Sequence, residues 1–219
     1  MSQKLILLRH GESKWNLENR FTGWTDVDLT KNGQSEAKNA GILLSKYNIE
    51  YDFIYTSYLK RAINTLKICL KQLQKPASEA IYHWRLNERH YGRLQGLNKS
   101  ETAKKYGDRQ VLLWRRSFDI SPPKMDINDK CHPKYDILYK HIDSQKLPDS
   151  ESLKDTLERV KPLWNDKIFP KIKRRSNIMI VAHGNSLRAI VKMLKNISNE
   201  DIIKLNIPTG VPYIFEFNK

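Results

Sequence analysis

Disulfide and zinc chemistry have almost nothing to work with in this sequence, which holds only two cysteines in 219 residues, far apart and in no C-x-x-C pair. Cys69 falls in the helical run with Ile63, Leu66 and Leu70 and reads as core filling. Cys131 precedes His132, but two neighbouring ligand types without two more nearby make a poor metal site. Neither a metal nor a disulfide is expected. Long apolar runs are missing as well, and nothing approaches the roughly 20 residues that span a bilayer. Only Met1, Ser2, Gln3 and Lys4 precede the first apolar run, too few for a secretory leader. The expected address is cytoplasmic, with no membrane partner. There are no internal repeats and no low-complexity tract, and the length suits one domain with a full core.

Negative charge is also scarce. Lys and Arg number 39 against 24 Asp and Glu, a net charge of +15 that favours anionic partners through the long-range field. Nucleic acid and small phosphates both qualify. The basic residues are scattered, however, and the densest cluster, Lys171, Lys173, Arg174 and Arg175, reads as a solvated helix end. The expected partners are small anionic substrates and not nucleic acid.

What is present is concentrated between Leu5 and Asn16. Leu5, Ile6, Leu7 and Leu8 form an apolar run that breaks abruptly into charge, as in a strand buried on both faces of a parallel sheet. Ligands of such sheets sit beyond the carboxyl ends of the strands, where Arg9, His10 and Gly11 fall. A fixed cation, an imidazole and a residue without Cβ that lets an anion approach the backbone could together handle a phosphate. The same grammar recurs late: Ile178 to Ala182 breaks into His183, Gly184, Asn185 and Ser186, with a helical pattern behind. Two strands would then deliver a His-Gly pair each to one sheet edge.

Between them the chain alternates strand and helix signals, the mark of an α/β fold with a mostly parallel sheet. Thr30 can cap a helix with Ala37, Ala40, Leu43, Leu44 and Tyr47 at helical spacing. Asp52 to Thr56 reads as a strand, and Ser57 as the cap of a helix carrying Arg61 in its first turn, where an anion is favoured. Ile81 to Trp84 reads as another strand, feeding Leu86 to Gly92, where Glu88 stands among cations and ring donors as a proton-moving carboxylate would. Asn98 with Glu101 suggests a capping box, and a further helix presents Arg115 and Arg116. The stretch at about 117–147 has no period and reads as a long irregular insertion, either a binding or lid segment or disordered. Ser150 or Ser152 opens a long helix in which Pro162 predicts a kink, and Tyr213 to Phe217 reads as a last strand.

Arg-His-Gly-Glu early and a strand-borne His-Gly late resemble the histidine phosphatase superfamily. The wider string, with FTGWTDVDLT, TSYLKRA, LNERHYGRLQGLNK, WRRSFD and AHGNSLRA in that order, resembles the cofactor-dependent phosphoglycerate mutases over nearly the whole chain. That resemblance implies a three-layer α/β/α fold and interconversion of 2-phosphoglycerate and 3-phosphoglycerate through a phosphohistidine primed by 2,3-bisphosphoglycerate. It implies that His10 is the nucleophile, that Arg9, Arg61 and His183 surround the transferring group, and that Glu88 is the acid/base. It further implies that Thr22, Gly23, Tyr91, Lys99, Arg115 and Arg116 hold the substrate carboxylate and distal phosphate. Ser13, Asn16, Gly184 and Asn185 would line the phosphate pocket. Relatives are often dimers or tetramers, so a homo-oligomer is expected. They also commonly continue past the last strand with a tail that helps cover the site, whereas this chain stops at Lys219; weaker mutase activity or larger phosphatase leakage follows as an expectation. The same phosphohistidine with water as acceptor, a phosphatase of small phosphate esters, is the alternative.

Overall fold

The run Leu5 to Leu8 lies within strand β1 (Gln3–Arg9) and is fully buried because both faces of the strand are covered. The computed structural model describes residues 3–217; the leader reading on Met1 and Ser2 and the stop at Lys219 concern residues outside that range. Along the chain follow α1 (Lys14–Leu17), α2 (Lys31–Ser45), β2 (Phe53–Thr56), α3 (Lys60–Gln72), β3 (Ala80–Tyr82), α4 (Lys99–Tyr106) and α5 (Asp108–Arg116). Then come α6 (Leu153–Leu163), α7 (Phe169–Lys173), β4 (Ile178–Ala182), α8 (Gly184–Lys195) and β5 (Pro212–Phe217). The strands form one sheet in the order β3-β2-β4-β1-β5, parallel except for β5, which runs antiparallel to β1.

Alternation along the strands builds the two outer layers. Ile6, Leu8, Ile54, Met179 and Val181 pack against Ala40, Leu44, Leu66, Cys69 and Leu70 of α2 and α3. Leu5, Leu7, Tyr55, Ile178 and Ile180 face the opposite way, onto Val160, Leu163, Ile172, Leu187, Ile190 and Val191 of α6, α7 and α8. This is the three-layer α/β/α arrangement with a mostly parallel sheet. Each Leu, Ile, Val or Met among them contributes about 1.5–3 kcal/mol on burial. The register then sets the site: Arg9 lies opposite Ala182, so His10 and His183 emerge in step, one residue beyond paired strand ends.

Several local readings are revised by tertiary packing. Leu43 and Tyr47 are exposed, and the buried face of α2 is completed by Gly33 and Gly41. Ser57 does not cap α3, whose N-cap is Leu59 without a side-chain bond. The third strand stops at Tyr82, because Trp84 to Leu86 winds into a 3₁₀ turn. Asn98 caps α4 through the N–H groups of Ser100 and Glu101, with no return bond from the Glu101 carboxylate. Ser152, not Ser150, caps α6, which continues through Pro162 before a π turn at Trp164–Ile168. The 117–147 stretch is packed: it carries short 3₁₀ turns, buries Met125, Tyr139 and Leu147, and is tied by His132, whose Nε2 donates to Asp149 at 3.0 Å.

Gly11 has a different task from the one its sequence neighbours suggest. Its N–H donates to Thr65 Oγ1 at 3.0 Å, and a Cβ there would lie 2.1 Å from the carbonyl oxygen of Gly33. The missing side chain lets the exit of β1 pass against the start of α2, not an anion against the backbone. Gly11→Ala is therefore expected to lower stability by about 1–3 kcal/mol as an overpacking change, read as a lower urea midpoint with an unchanged slope.

Candidate active site

His10 is 2 % exposed, and its Nδ1 sits 2.7 Å from the Gly11 carbonyl. A carbonyl only accepts, so Nδ1 carries the proton and the lone pair of the neutral ring is on Nε2. Burial, then the charges of Arg61 and Arg9, hold the pKa of His10 well below its ordinary value, against the smaller opposing effect of the Gly11 carbonyl. The ring is neutral at neutral pH, as a nucleophilic nitrogen must be. His183 is tilted against it, with ring centroids 5.0 Å apart and an interplanar angle of 58°. Its Nε2 meets Ser57 Oγ at 2.7 Å, and burial with Arg61 and His10 keeps it neutral too. Ser57, set one residue past β2, holds His183 in place.

The cations around this pair are held by backbone, not by carboxylates. Arg61, 1 % exposed, donates to the carbonyls of Gly23 at 2.7 Å and Thr25 at 2.9 Å. Arg9 donates to the Ile207 carbonyl at 2.8 Å. Arg188 donates to Asn185 Oδ1 and to the carbonyls of Arg116 and Ile202, and Arg116 to that of Leu205. Among the described residues, Nε of Arg9, Arg61 and Arg188 and Nδ1 of His183 are buried without a partner. Burial lowers Arg61 and Arg188 to about 10 and Lys99 to about 8; for Lys99 the charges of Arg115 and Arg9 add to the effect. Seven cations (Arg9, Arg20, Arg61, Lys99, Arg115, Arg116, Arg188) line the cavity against one carboxylate, Glu88. Such an excess of buried positive charge favours an anion.

Glu88 follows the 3₁₀ turn after β3. Its Oε1 accepts from the N–H groups of Arg89 at 2.8 Å and Asn185 at 3.0 Å, so the carboxylate is bound to the start of α8. A methyl group added at Gly184 would lie 3.5 Å from Arg9 Cζ and 3.6 Å from Glu88 Oε2, which places guanidinium, carboxylate and helix start together. Tyr91 joins them through its hydroxyl, which accepts from Arg89 at 3.0 Å and Asn185 Nδ2 at 3.3 Å.

The cavity thus brings together Arg9, His10, Asn16, Thr22, Gly23, Arg61, Glu88, Tyr91, Lys99, Arg115, Arg116, Gly184 and Asn185. Ser13 is not among its lining residues: it caps α1, exchanging hydrogen bonds with Asn16. His183 is not among the lining residues either, and its ring packs against that of His10. Arg20, Arg188, Asn206 and Ile207 also line the cavity; Arg188 lies within AHGNSLRA without having been given a role there, and the other three fall in no quoted motif. Only the basic character of Arg20 and Arg188 offered a signal in the sequence.

The family model of the histidine phosphatase superfamily, branch 1, matches residues 5–130 and 123–219. The chain belongs to that superfamily. Within it, the 2,3-bisphosphoglycerate-dependent phosphoglycerate mutase 2 of Bacteroides thetaiotaomicron is 55 % identical over 217 residues, 99 % of this chain and 88 % of the relative. The 2,3-bisphosphoglycerate-dependent phosphoglycerate mutase of Parabacteroides distasonis is 56 % identical over 216 residues, 99 % of this chain and 87 % of that one. Among solved structures, mycobacterial glucosyl-3-phosphoglycerate phosphatase superposes with a TM-score of 0.73 at 21 % identity, covering 98 % of this chain and 90 % of that one, a likeness of fold. Among the described residues no group of three or more His, Cys, Asp or Glu is placed to hold a metal, and no helix is long and apolar enough to cross a membrane.

Lys99 titrates at about 8 in this histidine phosphatase site, and a bound anion favours its charged form. Anion affinity should therefore fall as pH rises through 8. Calorimetric sulfate titrations are expected to show that fall from pH 7 to 9 in the wild type and a flatter profile in Lys99→Met; equal slopes would reject the assignment.

Proposed function

We propose that this chain interconverts 2-phosphoglycerate and 3-phosphoglycerate through a phosphohistidine at His10, with 2,3-bisphosphoglycerate as primer. The observation that carries the reading is the neutral His10, its Nε2 lone pair released by the Gly11 carbonyl, set against His183 in a cavity where the guanidinium groups of Arg9, Arg61, Arg116 and Arg188 are held by carbonyl oxygens and not by carboxylates. The 55 % identity to a 2,3-bisphosphoglycerate-dependent mutase over almost the whole chain supports the choice of substrate.

In this reading His10 Nε2 forms a bond to phosphorus as the bond from phosphorus to the substrate oxygen breaks, and Glu88 gives its proton to that oxygen. On return, Glu88 takes the proton of the accepting hydroxyl while the new phosphorus–oxygen bond forms and the phosphorus–nitrogen bond breaks. Arg9, Arg61 and His183 face the equatorial oxygens, where charge develops and fixed donors act most strongly. Asn16, Gly184 and Asn185 line the phosphate side. Thr22, Gly23, Tyr91, Lys99, Arg115 and Arg116 hold the carboxylate and distal phosphate. Gly23 serves in part indirectly, because its carbonyl fixes Arg61.

The unpartnered guanidinium nitrogens and the excess of cations fit a ligand bearing two phosphates and a carboxylate. When bound, 2,3-bisphosphoglycerate supplies the first phosphoryl group. No metal is required, because the guanidinium groups supply the charge. The chain works in the cytoplasm as a homo-oligomer, a dimer or tetramer, on small anionic substrates.

An enolase-coupled assay with 3-phosphoglycerate should report product, faster with added 2,3-bisphosphoglycerate; turnover in excess chelator, read directly by phosphorus NMR because enolase itself needs magnesium, should be undiminished. Phosphate release without coupled product would establish a phosphatase instead. His10→Ala should remove the acid-labile phosphoenzyme and cut turnover by at least about 10⁴-fold; a persisting label would place the nucleophile elsewhere.

A further inference from the structure

Glu151 and Arg159 form an ion pair that the reaction above does not use and that does not line the cavity. Both are buried, at 3 % and 7 % exposure. Arg159 Nε donates to Glu151 Oε1 at 2.5 Å, and one Nη to Oε2 at 2.9 Å. That same Nη reaches the carbonyls of Asn87 at 3.2 Å and Glu88 at 3.1 Å, and the other Nη reaches that of Arg85 at 2.7 Å. Glu151 grips the chain just beyond: its Oε2 accepts the His90 N–H at 2.8 Å, and its own N–H donates to the His90 carbonyl at 2.8 Å. One ion pair therefore fixes the backbone before, at and after Glu88.

The segment from Asn87 to Tyr91 is neither helix nor strand, so no ladder satisfies its carbonyls. A guanidinium carries five donors in a fixed fork and can serve several carbonyls at once while pairing with a carboxylate. Net stability is a poor explanation for such a pair, since a buried ion pair is about matched by well-packed apolar groups. What apolar groups could not do is hold three carbonyls and an N–H at set positions. The Glu88 side chain is meanwhile fixed by the N–H groups of Arg89 and Asn185, so a shift of its backbone would pull the carboxylate out of line.

We propose that Glu151 and Arg159 are positioning residues that set the place of Glu88, and thereby its proton transfer, without touching the substrate. The proposal rests on the reading of Glu88 as the acid/base. It is tested with Arg159→Lys, which keeps the charge and loses the fork, and Glu151→Gln, which keeps the shape and loses the charge. For each, kcat and KM for 3-phosphoglycerate are measured together with sulfate affinity, which reports the cation pocket and not proton transfer. The expected result is kcat lower by about 10- to 100-fold, with KM and sulfate affinity within about two-fold of wild type. Lys161→Ala on the same helix, whose partner Glu158 is exposed, should retain wild-type kcat. Wild-type kcat in either folded variant, or sulfate affinity lost in proportion to kcat, would overturn the proposal. Should one variant not fold, the other decides. Phosphate release is followed in parallel: if the wild type only hydrolyses its substrate, the mutase reading fails, while positioning is read on the hydrolytic rate, because Glu88 protonates the same leaving oxygen.

Discussion

Buried guanidinium groups keep their charge available to an anion only if no carboxylate neutralises them, and this molecule holds four of them with carbonyl oxygens. The carbonyls of Gly23 and Thr25 hold Arg61, and that of Ile207 holds Arg9. Those of Ile202 and Leu205 hold Arg188 and Arg116. A carbonyl dipole orients a cation while leaving its charge available, whereas an ion pair would have cancelled it. The short run from Ile202 to Ile207 thus anchors three arginines delivered by three different elements.

The register of β1 on β4 makes this arrangement possible. Two strands far apart in sequence end level, so the imidazoles that follow them meet without any special loop. The outer layers serve the same end, since burial of both faces of β1 and β4 leaves these strand ends little freedom to shift.

Much of this was legible in the residues themselves. Apolar runs that stop abruptly marked β1 and β4, and Thr30, Asn98 and Ser152 each cap the helix that follows. Ser57 was not legible, because a serine after a strand suggests a cap, while its actual partner, His183, is 126 positions away. Gly11 was misread for the same reason: the carbonyl that excludes a side chain belongs to Gly33, on another element. Arg188 lies within AHGNSLRA, but its place in the cavity follows from the turn of α8 and not from the motif's spacing, while Asn206 belongs to no quoted motif and reaches the cavity only through chain closure. The 117–147 stretch lacks a period because its order comes from scattered anchors such as Tyr139, whose hydroxyl accepts from Asn87 at 2.8 Å, and not from any repeating face.

The hydrogen bond from His10 Nδ1 to the Gly11 carbonyl bears on the identity of any covalent adduct. An imidazole can carry a phosphoryl group at either nitrogen, and the two regioisomers differ in hydrolytic lability and in the antibodies that recognise them. With the pros nitrogen committed to the backbone, only the tele isomer is open to this ring.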